Sequence, residues 1–308
     1  MRKINSTVDR LAYILSPSYS GSTLLTFLLN AHPKVATIGE LKGQALGDVD
    51  HYDCSCGTRV KQCSFWIALQ SRCAAEGVPF SFEDFGTHFR LRDRRLHDRV
   101  LRARVRGRPW EQARRLALRM LPGAHRHFQA VLARNRALIR IVTELQQADV
   151  FLDGSKDPVR LLYLHQAGWW DIRVIYMIRD GRGAACSYMK HHNLSMTDAA
   201  LEWKRTHEEC DRLVARLPAA ITLKVGYEEL CAEPDRNVNH ALVHLGLPPL
   251  DWLHDFRAVE HHIIGNSMRL RSSGEITRDE KWRSTLTADD LEVFESIAGN
   301  LNRKYGYV

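Results

Sequence analysis

Leu11-Ala12-Tyr13-Ile14-Leu15, then Ser16-Pro17-Ser18-Tyr19-Ser20-Gly21-Ser22-Thr23, then Leu24-Leu25-Thr26-Phe27-Leu28-Leu29-Asn30 is the stretch whose reading decides the fold. The apolar run predicts a short buried strand. Pro17 cannot continue it, and Gly21 permits a tight turn. Thr23 to Asn30 predicts a helix that stops before His32-Pro33. A strand, a loop of small hydroxyl residues and a helix start form a cradle for an anion, because helix-start amides point outward with no partner. The loop follows the phosphate-loop pattern G-x-x-x-x-G-K-[ST] with three changes. Ser16 takes the first Gly position, Gly21 the second, Ser22 replaces the Lys, and Thr23 keeps the hydroxyl. Ser20, Ser22 and Thr23 supply hydroxyl donors. The lysine that reaches the β- and γ-phosphates of ATP or GTP is missing, so the loop suits a different phosphate ester. Taken alone, the same residues also fit an ordinary turn that caps a helix.

Three later runs repeat the theme. Val150-Phe151-Leu152 leads into Asp153-Gly154-Ser155-Lys156, Arg173 to Ile178 into Arg179-Asp180-Gly181, and Ala220 to Val225 into Gly226-Tyr227. Each is followed by a helix-compatible stretch. Short apolar strands alternating with helices predict an α/β, P-loop-like three-layer fold with a central parallel sheet. Ligands bind beyond the carboxyl ends of such strands, where all four runs place polar residues. Residues 47–147 break the alternation. They are expected to form a mostly helical, Arg-rich insertion or cap within a single domain spanning 1–308.

The net charge of the 308-residue chain is +8. Ser81 to Asp149 holds 16 Arg against 7 acidic residues, enough to account for the whole excess. The chain is therefore not basic throughout, which speaks against a nucleic-acid-binding protein. Most of these arginines are expected on solvated helix faces. No apolar run reaches the roughly 18 residues of a bilayer span. Met1 to Arg10 is short and polar, unlike a secretory leader, so a cytoplasmic protein is expected. Seven cysteines in a chain of this size argue against a disulfide framework. His51, Cys54, Cys56 and Cys63 (H-x-x-C-x-C-x6-C) are four soft groups able to hold zinc. Reduced core thiols or a local disulfide rank ahead of that, and no metal ligand is assigned.

Several segments together resemble the sulfotransferases that use 3′-phosphoadenosine 5′-phosphosulfate (PAPS). Ser20-Gly21-Ser22-Thr23-Leu24-Leu25, His32-Pro33 and Gly39-Glu40 are similar to that family's 5′-phosphosulfate segment, closest to its tyrosylprotein and bacterial branches. Arg179-Asp180-Gly181-Arg182-Gly183-Ala184 with Ser187 resembles the 3′-phosphate segment. Lys156-Asp157-Pro158, Tyr227-Glu228-Glu229-Leu230, Gly265-Asn266-Ser267-Met268-Arg269, Trp282 and Tyr305-Gly306-Tyr307 follow in the family's order. Tyr19 stands where the tyrosylprotein branch has Arg, which weakens a case for peptidyl tyrosine as acceptor. Cys-x-Cys-Gly stretches like the one at Cys54 also occur in bacterial members.

The resemblance implies a PAPS-dependent O-sulfotransferase. Ser20, Gly21, Ser22 and Thr23 would hold the 5′ side of PAPS. Arg179 and Ser187 would hold the 3′ phosphate, with Arg182 facing water. Tyr227 would lie against adenine or its sugar, with a buried structural Tyr as the rival assignment. Arg269 and Arg271 would close over the phosphate, and Ser267 would add a donor. In-line transfer needs a base for the acceptor hydroxyl and a cation at the leaving oxygen. Glu40 is the expected base, with His32 as rival, and Lys156 the expected cation. The expected product is 3′,5′-ADP, with no metal required and no nucleic acid as partner. An acidic acceptor would suit the Arg-rich cap, and a homodimer is possible. A P-loop-type small-molecule kinase and a non-catalytic nucleic-acid-binding protein are the alternatives.

Overall fold

The computed structural model describes residues 9–42, 46–91, 95–250, 256, 259–265, 267–270 and 274–308. Arg271 lies outside the described residues, as does the side chain of Ser267. The chain begins with β1 (Asp9–Leu15), α1 (Ser22–Asn30) and β2 (Val35–Ala36). Four helices follow: α2 (Ser64–Ala75), α3 (Arg95–Arg102), α4 (Arg108–Met120) and α5 (Pro122–Leu145). The alternation then resumes with β3 (Val150–Lys156), α6 (Pro158–Ala167), β4 (Trp170–Ile178), α7 (Gly181–His192), α8 (Met196–Val214) and β5 (Thr222–Gly226). The chain closes with α9 (Tyr227–Ala232), α10 (Pro234–His244), α11 (Trp282–Thr285) and α12 (Ala288–Lys304).

The five strands form one parallel sheet in the order β2-β3-β1-β4-β5. β1 is central because both of its faces are apolar, and Leu11 to Leu15 are all fully buried. Its side chains alternate between two layers, as the period of two in a strand requires. Leu11, Tyr13 and Leu15 join Phe151, Val174 and Tyr176 against α5 and α6, while Ala12 and Ile14 join Ile175 and Met177 against α1 and α10. The helices between β2 and β3 share the first of these clusters through Trp66, Leu132 and Val142.

The strand order reverses between β1 and β4. The crevice beyond the carboxyl ends of these two strands is where an open sheet of this kind accepts a ligand. β1 delivers Ser16 there and β4 delivers Arg179, while β3 delivers Lys156, paired in register with Leu15. Beneath this edge lies a buried polar brace. Arg160 Nε donates to Asp153 Oδ2 at 2.9 Å, and its other nitrogens reach the Thr87 carbonyl and Asn135 Oδ1. Arg160 and Asp153 are almost fully inaccessible. Leaving one of such a pair alone typically costs about 3–5 kcal/mol, so the brace ties β3 firmly to α5 and α6.

Candidate active site

A cavity of about 1110 Å³ opens over the carboxyl ends of the strands. Ser16, Gly21, Ser22 and Thr23 line it from the first loop, Glu40 and Lys156 from one side, and Arg179, Ser187 and Tyr227 from the other. Gly21 caps α1 in the left-handed region, at φ 86°, and contributes no side-chain cap. The amides that open α1 are therefore left for another acceptor. Gly21 is also required by space, since a Cβ there would sit 2.3 Å from the Tyr227 ring. Ser16 and Ser20 are buried, and neither hydroxyl has a hydrogen-bond partner among the described residues. Buried hydroxyls without partners are costly, and that of Ser16 is available to an acceptor in the cavity. Ser16 lines the cavity, whereas Ser20, also expected to hold the donor, is not part of its wall.

Glu40 and Lys156 meet directly, with Nζ 2.5 Å from Oε1 and both side chains mostly buried. Backbone shape places each of them. Gly39 (φ 85°) precedes Glu40, and a Cβ on it would strike the Ile264 carbonyl at 2.4 Å. Lys156 itself sits at φ 66°, where the β1–β3 register is irregular. Left-handed backbone at a non-glycine residue is uncommon, and such strain tends to collect at functional positions. Asp157 then caps α6, accepting from the amides of Val159 and Arg160, with Lys42 Nζ 3.0 Å away. Burial alone would raise the Asp157 carboxyl. The Lys42 charge and those amides outweigh it and hold the group below the usual carboxylate range.

Arg179 is nearly inaccessible. It donates to the Tyr19 carbonyl at 2.8 Å and to the carbonyl and carboxylate of Asp279 at 3.0 and 3.2 Å. Its guanidinium lies 4.4 Å from the centre of the Tyr227 ring, and the Tyr227 hydroxyl accepts from the Asp279 amide. Tyr227 is thus a buried spacer between Gly21 and Arg179 that still faces the cavity. Ser187 donates to the Gly183 carbonyl at 3.0 Å, a turn back along α7, and lines the same wall. Arg182 is not simply solvated. It doubles back onto Asp180, reaches the Val308 carbonyl and stacks on Trp282. Glu228 accepts from the Asp180 amide and from the Tyr307 hydroxyl, so the Tyr227-Glu228 and Tyr305-Gly306-Tyr307 segments both brace the turn after β4.

Two further expected residues lie elsewhere. Arg269 donates to the carbonyls of Asp53 and Gly265 and covers the Tyr52 ring at 4.2 Å, outside the cavity wall. His32 is buried beside α1, where its Nδ1 accepts from the Lys34 amide, and it too is outside the wall. Other lining residues were not anticipated: Lys42, His88, Tyr188, Glu202 and the 275–281 segment. Only the last carried a signal in the sequence, its position just before Trp282.

Fold and site together describe an α/β protein with an anion cradle at a sheet switch point and a carboxylate–ammonium pair beside it. The sulfotransferase family model matches residues 12–252, and the chain belongs to that family. Among solved structures it is similar to the sulfotransferase domain of the Synechococcus PCC 7002 olefin synthase, at 17% identity and a TM-score of 0.50, with 94% of each chain covered. It is also similar to the sulfotransferase domain from the curacin biosynthetic pathway, at 14% identity and a TM-score of 0.56, covering 98% of this chain and 99% of that one. At these identities the likeness shows the fold. No curated protein matches the sequence. Among the described residues, no helix is long and apolar enough to cross a membrane.

Proposed function

We propose that this sulfotransferase moves the sulfuryl group of PAPS to a hydroxyl of its acceptor by in-line displacement. The observation that carries the proposal is the meeting of the Glu40–Lys156 pair with the uncapped phosphate loop, in one cavity that Arg179 and Ser187 also line. A donor with anions on both sides of its ribose matches two separate anion-holding walls. PAPS supplies the sulfuryl group, with 3′,5′-ADP as the other product. Ser16, Ser22, Thr23 and the first amides of α1 would hold its 5′ side, and Arg179 and Ser187 its 3′ phosphate. Glu40 takes the proton of the acceptor hydroxyl. Lys156 Nζ places positive charge where the leaving oxygen gains negative charge. The ion pair lets one group stand as counter-charge to the other until the acceptor hydroxyl engages the carboxylate.

The acceptor side is the wall formed by His88, Arg90, Arg102 and Arg104. The arginines of this wall suit an anionic acceptor, although Arg104 also faces Glu202 and Glu209; the proposed setting is cytoplasmic, with no nucleic acid as partner. Calorimetry tests the donor assignment. Tight binding of 3′,5′-ADP with no heat from Mg-ATP is expected, and preference for Mg-ATP would overturn the proposal. Labelled PAPS presented with phenols, sugars, lipids and acidic peptides then identifies the acceptor.

A further inference from the structure

The thiols that the sequence groups with His51 meet a different histidine in the fold. His51 is exposed, its Nδ1 held 2.7 Å from Asp48 Oδ2. The ligand atoms of Cys54, Cys56, Cys63 and His262 instead lie within 4.8 Å of one another. Cys63 Sγ is 3.3 Å and Cys54 Sγ 3.9 Å from His262 Nδ1, and Cys56 Sγ is 3.7 Å from Cys63 Sγ. A tetrahedral zinc with bonds of about 2.3 Å to sulfur and about 2.0 Å to nitrogen spaces its ligands about 3.8 Å (S···S) and about 3.5 Å (S···N) apart. The three distances fall around those values. All the cysteines are unbridged. A disulfide would use two thiols and leave the third, and the imidazole turned toward them, with no task.

The setting of His262 is a second observation pointing the same way. Its ring is stacked flat on Phe65, with centroids 4.6 Å apart and planes 4° apart. Its far nitrogen, Nε2, faces Glu260 Oε1 at 3.6 Å. The nearby carboxylate favours a proton on Nε2, which leaves Nδ1, the nitrogen turned toward the thiols, to bind a metal. We propose that Cys54, Cys56, Cys63 and His262 bind a structural Zn²⁺. Four protein ligands close the coordination sphere, leaving no open position for chemistry.

The metal would rivet two distant segments at the edge of the active site. Ser55 Oγ accepts from the Ile263 amide at 2.7 Å and donates to the His261 carbonyl at 2.6 Å. Tyr52 Oη accepts from the Gly265 amide, and the Ile264 amide donates to the Ile38 carbonyl. Gly265 neighbours Glu40, since a Cβ there would make contact with Oε1 at 3.4 Å. Zinc would therefore stiffen the wall behind Glu40 as well as stabilise the fold, since metal binding free energy adds to folding free energy.

Elemental analysis of the full-length protein, purified without metal-affinity steps from zinc-supplemented medium, provides the test. Roughly one zinc per chain is expected. His262→Gln and Cys56→Ser should lose it, whereas His51→Ala should keep it. Cobalt added to the chelator-stripped wild type should give the thiolate-to-cobalt charge-transfer bands of a tetrahedral site. A metal-free wild type with no cobalt spectrum overturns the proposal, whether its thiols titrate as free or mass spectrometry finds a Cys56–Cys63 disulfide. Zinc retained by His262→Gln but lost by His51→Ala overturns the ligand set.

Discussion

Glu40 and Lys156 are 116 positions apart, yet their side chains touch at 2.5 Å. If Glu40 takes the acceptor proton, Glu40→Gln removes the base but keeps size and hydrogen bonding. Turnover should fall about 10²–10⁴-fold, with 3′,5′-ADP affinity in calorimetry little changed. Retained turnover would exclude Glu40 as the base. Arg179 acts in binding on the same proposal. Arg179→Ala should weaken 3′,5′-ADP about 10–100-fold, the size expected when a charged hydrogen bond is lost. Arg179→Lys should recover little, because a single ammonium cannot reproduce the fork held by Tyr19 and Asp279. Unchanged affinity in Arg179→Ala would take this residue out of the site. Strand-end residues such as these are legible because a parallel sheet exports whatever follows each apolar run to one edge. Glu40 follows a two-residue strand and was visible only through the family resemblance. The nearness of His262 to the thiols was not legible, since it lies 208 positions from Cys54 and His51 is the nearer histidine in sequence.

Among the elements, β1, β3, β4 and β5 were readable because each is an apolar run ended by a polar loop. β2 was missed, as Val35–Ala36 is too short for its pattern to rise above chance. Gly181 meets a need for space after β4, since a Cβ there would sit 2.5 Å from Phe294 and 2.9 Å from Trp203. That close approach docks α7 on α8 and α12 and so aims Arg179. The same helices hold a buried group that makes stability pH-dependent. His207 on α8 is fully buried, its Nδ1 2.8 Å from the Tyr176 hydroxyl, which also meets Asp211 and Tyr305. Burial lowers the imidazole to about 3, with the nearby Asp211 opposing and Lys304 assisting. A folded state that stays neutral while the unfolded chain takes up a proton loses stability as pH falls. The loss begins near the free imidazole value of about 6.5 and continues toward 3. At about 1.4 kcal/mol per unit, it reaches on the order of 3 kcal/mol by pH 4. Urea unfolding at a series of pH values should show this slope in the wild type and a shallower one in His207→Gln. Identical slopes would show that the imidazole plays no part.

Over the whole molecule, the positive excess behaves as a feature of one region, not of the surface at large. Arg90, Arg102 and Arg104 from the Arg-rich segment reach the cavity wall. Others, such as Arg108, Arg115 and Arg119, are exposed on or beside α4, away from that wall. Composition could locate this charge but not orient it, because the sequence does not say which helix face meets solvent and which meets the site. The donor of the proposed reaction favours such a field, since it is a polyanion. Charges remote from the wall act on encounter, not on the bound complex. Their influence fades once the screening length falls to about 3 Å at 1 M salt. Replacing Arg108, Arg115 and Arg119 together by Gln should therefore lower kcat/KM for PAPS a few-fold at low ionic strength. The deficit should vanish in high salt, and kcat should stay level throughout. Stopped-flow measurement of nucleotide association across a salt series reads this directly. Equal salt slopes for variant and wild type would mean that the basic region does not steer the donor, and a fall in kcat would place these arginines in the bound complex instead.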